Sequence, residues 1–296
     1  MAFGIWAGRK FTYWNSFASA PPSNYILDNI TSSASYAVSF SRYLKASYVG
    51  SPVVRLRMLL NGNKEFDFTP EELTDGTATG LSKGGLGIVT RVYNQVNGTF
   101  FFDLVASRQA NMIVGGVLVV DVNGKASIAG RTSSYTRLAM TPPPYTGSNC
   151  AVFNVGKMVE GFQSTLYRVC AFGKWNAYNQ PNQSWVVLSM GVPANIGGSI
   201  TQLPFTSFYA NGSDISAGNL RPYLGVPTIS NITGLNLTAA TWSNMALGID
   251  RTQLWPNMQE DAVVASREME QIYFNDFLEV ERTIIETNQR NFYGYY

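Results

Sequence analysis

Apolar and polar positions alternate along this chain in short stretches separated by turn residues, which is the pattern of half-buried strands. Val53-Val54-Arg55-Leu56-Arg57-Met58-Leu59-Leu60 alternates apolar and basic residues before running apolar, and Gly87-Ile88-Val89-Thr90-Arg91-Val92-Tyr93 is a second strand-like run. Asn61-Gly62, Asn97-Gly98, Asn123-Gly124 and Asn211-Gly212 are turn signals. Further strands are predicted at Thr99–Val105, Met112–Val122, Asn149–Val155, Thr165–Phe172, Ser184–Met190, Thr206–Ala210, Tyr223–Val226, Trp242–Ile249 and Glu268–Phe274. Helical spacing is rarer. Ser32-Ser33-Ala34-Ser35 offers a cap, and Tyr36, Phe40, Tyr43 and Leu44 then recur at helical intervals, which predicts a short N-terminal helix ended by Gly50-Ser51-Pro52. Thr69-Pro70 opens a second short helix, with Thr69 as cap and Pro70 at the first helical position. Leu278–Arg290 reads as a surface helix near the C-terminus.

Many short strands with turns between them predict an all-β fold, a two-sheet antiparallel sandwich or jelly roll. Residues 1–24 show no sustained period and read as an extended N-terminal arm, leaving 25–296 as the sandwich domain. The arm carries Phe3, Ile5, Trp6, Phe11, Tyr13 and Trp14, which suit anchoring on its own domain or on a neighbouring subunit.

Composition narrows the function. Of 296 residues, 45% are hydrophobic, enough for a sizeable core, but only 14% are charged. From Trp175 to Leu220 the only charge is Asp214, so that surface suits packing against protein or sugar. A net charge of +2 gives no footprint for nucleic acid, and Arg55 with Arg57 reads as a solvated strand face. No apolar run reaches membrane-spanning length, and the N-terminus lacks a signal-peptide pattern. The chain has no histidine, which removes the commonest general base and metal ligand. Cys150 and Cys170 are not a disulfide scaffold; buried thiols and a single bridge both stay open. No cofactor is expected.

Two constellations are candidates for binding or chemistry. Trp175, Tyr178, Asn179, Gln180, Asn182, Gln183 and Trp185 form an aromatic and amide-rich stretch that would serve a subunit contact or a glycan. Asp67, Glu71, Glu72 and Asp75 form an acidic cluster, read either as a solvated helix start or as a metal or catalytic group. No EF-hand pattern is present.

Several motifs in order resemble the concanavalin A-like lectin/glucanase domain, in the form found in arabinofuranosidase B-type catalytic domains and in bacteriophage virion proteins. They are Arg42-Tyr43-Leu44-Lys45-Ala46-Ser47-Tyr48-Val49-Gly50, Val54-Arg55-Leu56-Arg57, Asp67-Phe68-Thr69, Tyr93-Asn94-Gln95-Val96-Asn97-Gly98 and Asn123-Gly124-Lys125. The closing Glu270-Gln271-Ile272-Tyr273-Phe274, Glu281 to Arg290 and Phe292-Tyr293-Gly294-Tyr295 fit as well. The resemblance implies a concanavalin A-like jelly roll with a short N-terminal helix, a C-terminal helix and the arm as an addition. It covers residues 25–125 and 265–296; between them only strand rhythm supports it.

The family's glycosidases need two carboxylates across the scissile bond. The acid of the family's Tyr-Asp-Gln motif is Asn94 here, and between Val122 and Gly248 the acids are Glu160 and Asp214 alone. The expectation is therefore a non-enzymatic virion protein, a capsid decoration, head-fibre-like, tail or tail-fibre component assembled in the host cytoplasm. Its expected partners are other virion proteins and further copies of itself, with host surface glycan as an optional ligand and neither nucleic acid nor membrane. The alternative is an arabinofuranosidase B-type hydrolase acting on polysaccharide.

Overall fold

The computed structural model describes residues 25–102, 109–121, 123–129, 138–140, 147–158, 168–173, 185–189, 207–214, 227–236, 244–247 and 266–295. In chain order the strands begin with β1 (Ala34–Ser39), β2 (Val54–Met58) and β3 (Lys64–Phe68). Helices α1 (Pro70–Thr74) and α2 (Thr77–Leu81) follow, then β4 (Gly87–Tyr93), β5 (Phe100–Phe101), β6 (Asn111–Val114), β7 (Val117–Leu118), β8 (Ile128–Ala129) and β9 (Leu138–Met140). Next come β10 (Cys150–Met158), β11 (Arg168–Gly173), β12 (Trp185–Ser189), β13 (Ser207–Ala210), β14 (Ser213–Asp214), β15 (Pro227–Leu235), β16 (Asn244–Leu247), β17 (Ser266–Phe274) and helix α3 (Arg282–Tyr293).

The strands form two antiparallel sheets. The larger runs β14-β13-β15-β10-β17-β8-β6-β4-β2-β3, with β1 joined to β17, β5 to β4 and β7 to β6; the smaller runs β12-β11-β16-β9. Few helices and two antiparallel sheets are what an all-β sandwich requires. Strand β17 is central: Ile272 faces Ala37 of β1 on one side and Phe153 of β10 on the other.

The two faces of the large sheet are covered differently. One carries Tyr36, Val38, Leu56, Val89, Met112, Val152, Ile232 and Tyr273 in a single buried apolar cluster, closed by Leu73 of α1 and Ala78 of α2. Each such buried side chain contributes roughly 1.5–3 kcal/mol of transfer free energy. The other face carries Ala37, Ala151, Phe153, Ile272 and Phe274 under Ile285 of α3. Val155, Ile229, Met269, Tyr293 and Tyr295 continue it.

Local chemistry explains most elements. Thr69 caps α1 by accepting from the Glu72 amide at 3.3 Å, while the Glu72 carboxylate accepts from the Thr69 amide at 2.9 Å. That reciprocal pair is a capping box. Gly294 ends α3 with φ +72°, and its amide donates to Arg290 O at 2.8 Å.

The short N-terminal helix is not there. Ala34–Ser39 is strand β1, and between it and Gly50 the helical content is one 3-10 turn at Ala46–Tyr48. Tyr36, Val38 and Phe40 enter the first cluster and Ala37 the second, so both faces of this segment are buried. A strand in that position reads as an apolar run and mimics helical spacing. Ser32, in the stretch expected to supply the cap, instead accepts from the Leu278 amide at 3.0 Å. The Met112–Val122 strand is broken by Gly115-Gly116 into β6 and β7. The C-terminal helix is present, though it begins at Arg282 and buries Ile285, Glu286, Gln289 and Tyr293. Strands β3, β8, β9, β14 and β15 fall outside the stretches that the sequence predicts as strands, and the expected Tyr223–Val226 strand lies outside the described residues. So do the arm residues 1–24.

Candidate functional site: Asn94, Gln95 and the Arg42–Glu270 pair

The motif that ends β4 turns sharply. Asn94 N donates to Thr99 O at 2.7 Å and Gly98 N to Asn94 O at 2.8 Å, with Gly98 at φ +74°. The turn places Asn94 and Gln95 in the interior, each at most 1% exposed. Asn94 Oδ1 accepts from Ala37 N and Val96 N, both at 3.0 Å. Its Nδ2 donates to Asn97 Oδ1 at 2.8 Å and to Thr99 Oγ1 at 3.1 Å. Backbone N–H groups can only donate, so the amide orientation is fixed, and all four of its hydrogen-bonding positions are filled.

Gln95 does the same for the loop after β1. Its Oε1 accepts from Leu44 N at 2.7 Å, and its Nε2 donates to Ser39 O at 3.2 Å and Arg42 O at 3.1 Å. That loop carries Arg42. The Arg42 guanidinium reaches β17, where Nε donates to Glu270 Oε2 and Nη2 to Glu270 Oε1, each at 2.7 Å. Arg42 is 7% exposed and Glu270 0%. Glu270 also accepts from Gln289 Nε2 at 3.1 Å and from Tyr293 Oη at 3.1 Å. The Tyr293 proton is thereby committed, which leaves Ser39 Oγ as the donor to Tyr293 at 3.3 Å. Arg42 Nη1 donates to Asn288 Oδ1 at 2.5 Å, and the guanidinium lies 4.5 Å from the Phe292 ring centroid.

Electrostatics follow from this geometry. Burial alone would lower the Arg42 pKa, but the charge and hydrogen bonds of Glu270 hold it above the ordinary value. Burial, with the Glu270 charge beside it, pushes the Tyr293 phenol well above its usual range. The Arg42 guanidinium is thus held in its charged form, with a phenol beside it that stays protonated.

Two further ties secure α3 and the tail. Glu286 Oε1 accepts from Asn231 Nδ2 at 2.6 Å and Arg282 Nη1 at 2.8 Å. Asp121 Oδ1 accepts from Asn123 N at 3.0 Å and from Lys125 N at 2.5 Å, and its Oδ2 accepts from Tyr295 Oη. Asn123 Nδ2 donates to Tyr293 O at 2.5 Å.

The acidic cluster is divided among separate tasks. Asp67 receives Arg55 at 2.7 and 2.6 Å and Tyr93 Oη at 2.6 Å. The Arg55 hydrogen bonds, helped by Tyr93 and opposed by burial, hold its carboxyl below the usual range. Glu71 accepts from Tyr43 Oη at 3.0 Å, and burial together with that carboxylate pushes the Tyr43 phenol up to about 12. Glu72 completes the capping box, and Asp75 Oδ1 accepts from Thr77 N at 2.8 Å. The structure does not bring these acids together as one site. Among the described residues no group of three or more metal-ligating side chains is assembled, and no helix is long and apolar enough to cross a membrane.

Of the aromatic and amide-rich stretch, Trp185 opens β12 opposite Gly173 of β11. Trp175, Tyr178, Asn179, Gln180 and Asn182 lie outside the described residues, as do Glu160 and the arm side chains Phe3, Ile5, Trp6, Phe11, Tyr13 and Trp14. Asp214 is exposed in β14, opposite Tyr209. The Cys150 thiol is buried, donates to Gly147 O at 3.2 Å and accepts from Tyr273 Oη at 3.3 Å. The Arg42–Glu270 pair was not foreseen from sequence; the one local signal was a carboxylate set among apolar residues of a strand.

No protein-family model, curated protein or solved structure matches the chain.

Proposed function

We propose that this chain is a non-enzymatic structural subunit that works by assembly, a concanavalin A-like jelly roll of a bacteriophage particle docked through its N-terminal arm. The virion setting rests on the motif resemblance and on the arm's six apolar and aromatic side chains. The observation that carries the reading is Asn94. The position where those glycosidases hold an acid is a fully buried amide whose hydrogen-bonding positions are all filled, one by Ala37 N of β1 and three within the turn after β4. Such a residue is a tie between chain segments.

Removal of residues 1–20 tests this reading. The truncated protein is expected to keep the cooperative unfolding of the full chain and to lose incorporation into particles. Incorporation at full occupancy, or turnover of aryl arabinosides or host polysaccharide that is abolished by Glu160→Gln or Asp214→Asn, overturns it.

A further inference from the structure

The entry to α3 leaves an apolar step in solvent. Leu278 is 47% exposed, Val280 81% and Ile284 45%, all within seven positions of chain. The step is rigidly founded. Between its members Glu281 is buried, and its carboxylate accepts from Thr31 N and Ser32 N, while Ser32 Oγ accepts from Leu278 N. Ile26 lies under the same region with Phe277 and Ile285. The first described residues therefore emerge beside the step, and the 24 residues preceding them start from there.

Charge on the two parts is complementary. The segment before Asp28 contains Arg9 and Lys10 and no acid. Asp276 and Glu279 flank the step and are exposed, as is Asp28 at the arm's root. Arg282, in the same stretch, is engaged by Glu279 at 3.0 Å and Glu286 at 2.8 Å. Phe17 follows Trp14 as the last aromatic residue of the arm, and the seven residues from 18 to 24 can span about 24 Å when extended. Ala20-Pro21-Pro22-Ser23 favours an extended backbone there. A seat at the arm's own root would demand a reversal across those prolines. The same seat on another molecule would not.

We propose that the step formed by Leu278, Val280 and Ile284 receives the aromatic segment Phe3–Trp14 of a second copy of this chain. Arms exchanged in this way close a pair by two-fold symmetry or pass around a ring. The proposal rests on the assembly reading above, but its test needs only the purified protein, so its failure leaves incorporation into particles to be judged separately.

The full-length chain with Val280→p-benzoylphenylalanine is irradiated and the cross-linked peptides are mapped. A covalent dimer joined between position 280 and residues 1–20 is expected. A cross-link within one chain, a dimer joined through other residues, or no cross-link to residues 1–20 overturns the proposal. Ile284→Asp in the full-length chain is expected to raise the self-association Kd by about tenfold or more, because it removes apolar area from the contact, at unchanged Tm. An unchanged Kd overturns it as well.

Discussion

On one face of β17 Tyr273 stacks on Tyr36 at a centroid distance of 5.4 Å within a continuous apolar cluster. On the other face Glu270 stands beside Ile272 and Phe274 and is held by four donors from Arg42, Gln289 and Tyr293. The apolar face is non-directional: its contribution follows the area removed from water, and neighbouring shapes substitute for one another. The polar face is directional, since each donor meets its acceptor in one placement of α3 only. A buried ion pair adds little net stability compared with apolar residues, yet losing one partner costs several kcal/mol. In this protein we read the seam as the device that sets the register of α3 on the sheet. Its failure to close leaves charge stranded.

Isosteric changes separate the two faces most sharply. Glu270→Gln keeps the volume but leaves the Arg42 guanidinium buried without a counter-charge, and is expected to cost about 3–5 kcal/mol in urea unfolding. Asn94→Asp comes next, at about 1–3 kcal/mol, because a carboxylate oxygen would replace the donor that faces Asn97 Oδ1. Burial against an acceptor would raise that Asp's folded pKa above its unfolded value, so the deficit should shrink as pH falls through the folded pKa. A deficit independent of pH would show that no charge is stranded there. On the apolar face, Leu56→Met exchanges similar volumes and is expected to cost less than about 1.5 kcal/mol. If it equals Glu270→Gln, the contrast between the faces is gone.

The smallest expected effect is on the acid limb. Burial pushes the Glu281 carboxyl up, but the hydrogen bonds from Ser32 and Thr31 prevail and hold it below its usual range. A depressed folded pKa gives stability that is present above the unfolded value, about 4.3, and is lost as pH falls through the folded pKa. Glu281→Gln should therefore flatten the decline of unfolding free energy below about pH 4. Asp121 runs the other way, since burial outweighs its backbone donors Lys125 and Asn123 and raises its pKa. Its contribution grows as pH falls, so Asp121→Asn should steepen the acid limb slightly. The same slope in both variants would refute these assignments.

What was legible in the sequence was local. Val54-Arg55-Leu56-Arg57 shows its alternation and became β2, and Thr69 with Glu72 carries its cap within three positions. Asn123-Gly124 and Asn211-Gly212 turn the chain where expected. Two of the errors, at β1 and β15, came where both faces of a strand are buried. Tyr36, Phe40, Tyr43 and Leu44 imitate a helix because β1 and the loop after it are buried against both clusters, and Pro227-Thr228-Ile229-Ser230-Asn231-Ile232 hides β15 because its buried polar residues break the apolar pattern. The site divides in the same way. Asn94 stood out through its motif, but the task of Gln95 depends on the loop from Ser39 to Leu44, and Arg42 finds Glu270 across 228 positions. No local pattern encodes a partner that distant.

A double-mutant cycle on Arg42 and Glu270 tests the account most directly. With urea unfolding of the full chain as readout, Arg42→Ala and Glu270→Ala are each expected to cost about 3–5 kcal/mol. The double variant should fall short of their sum by about 2 kcal/mol or more, as residues within one network do. Single costs that add to within about 0.5 kcal/mol would show two independent sites and contradict the seam.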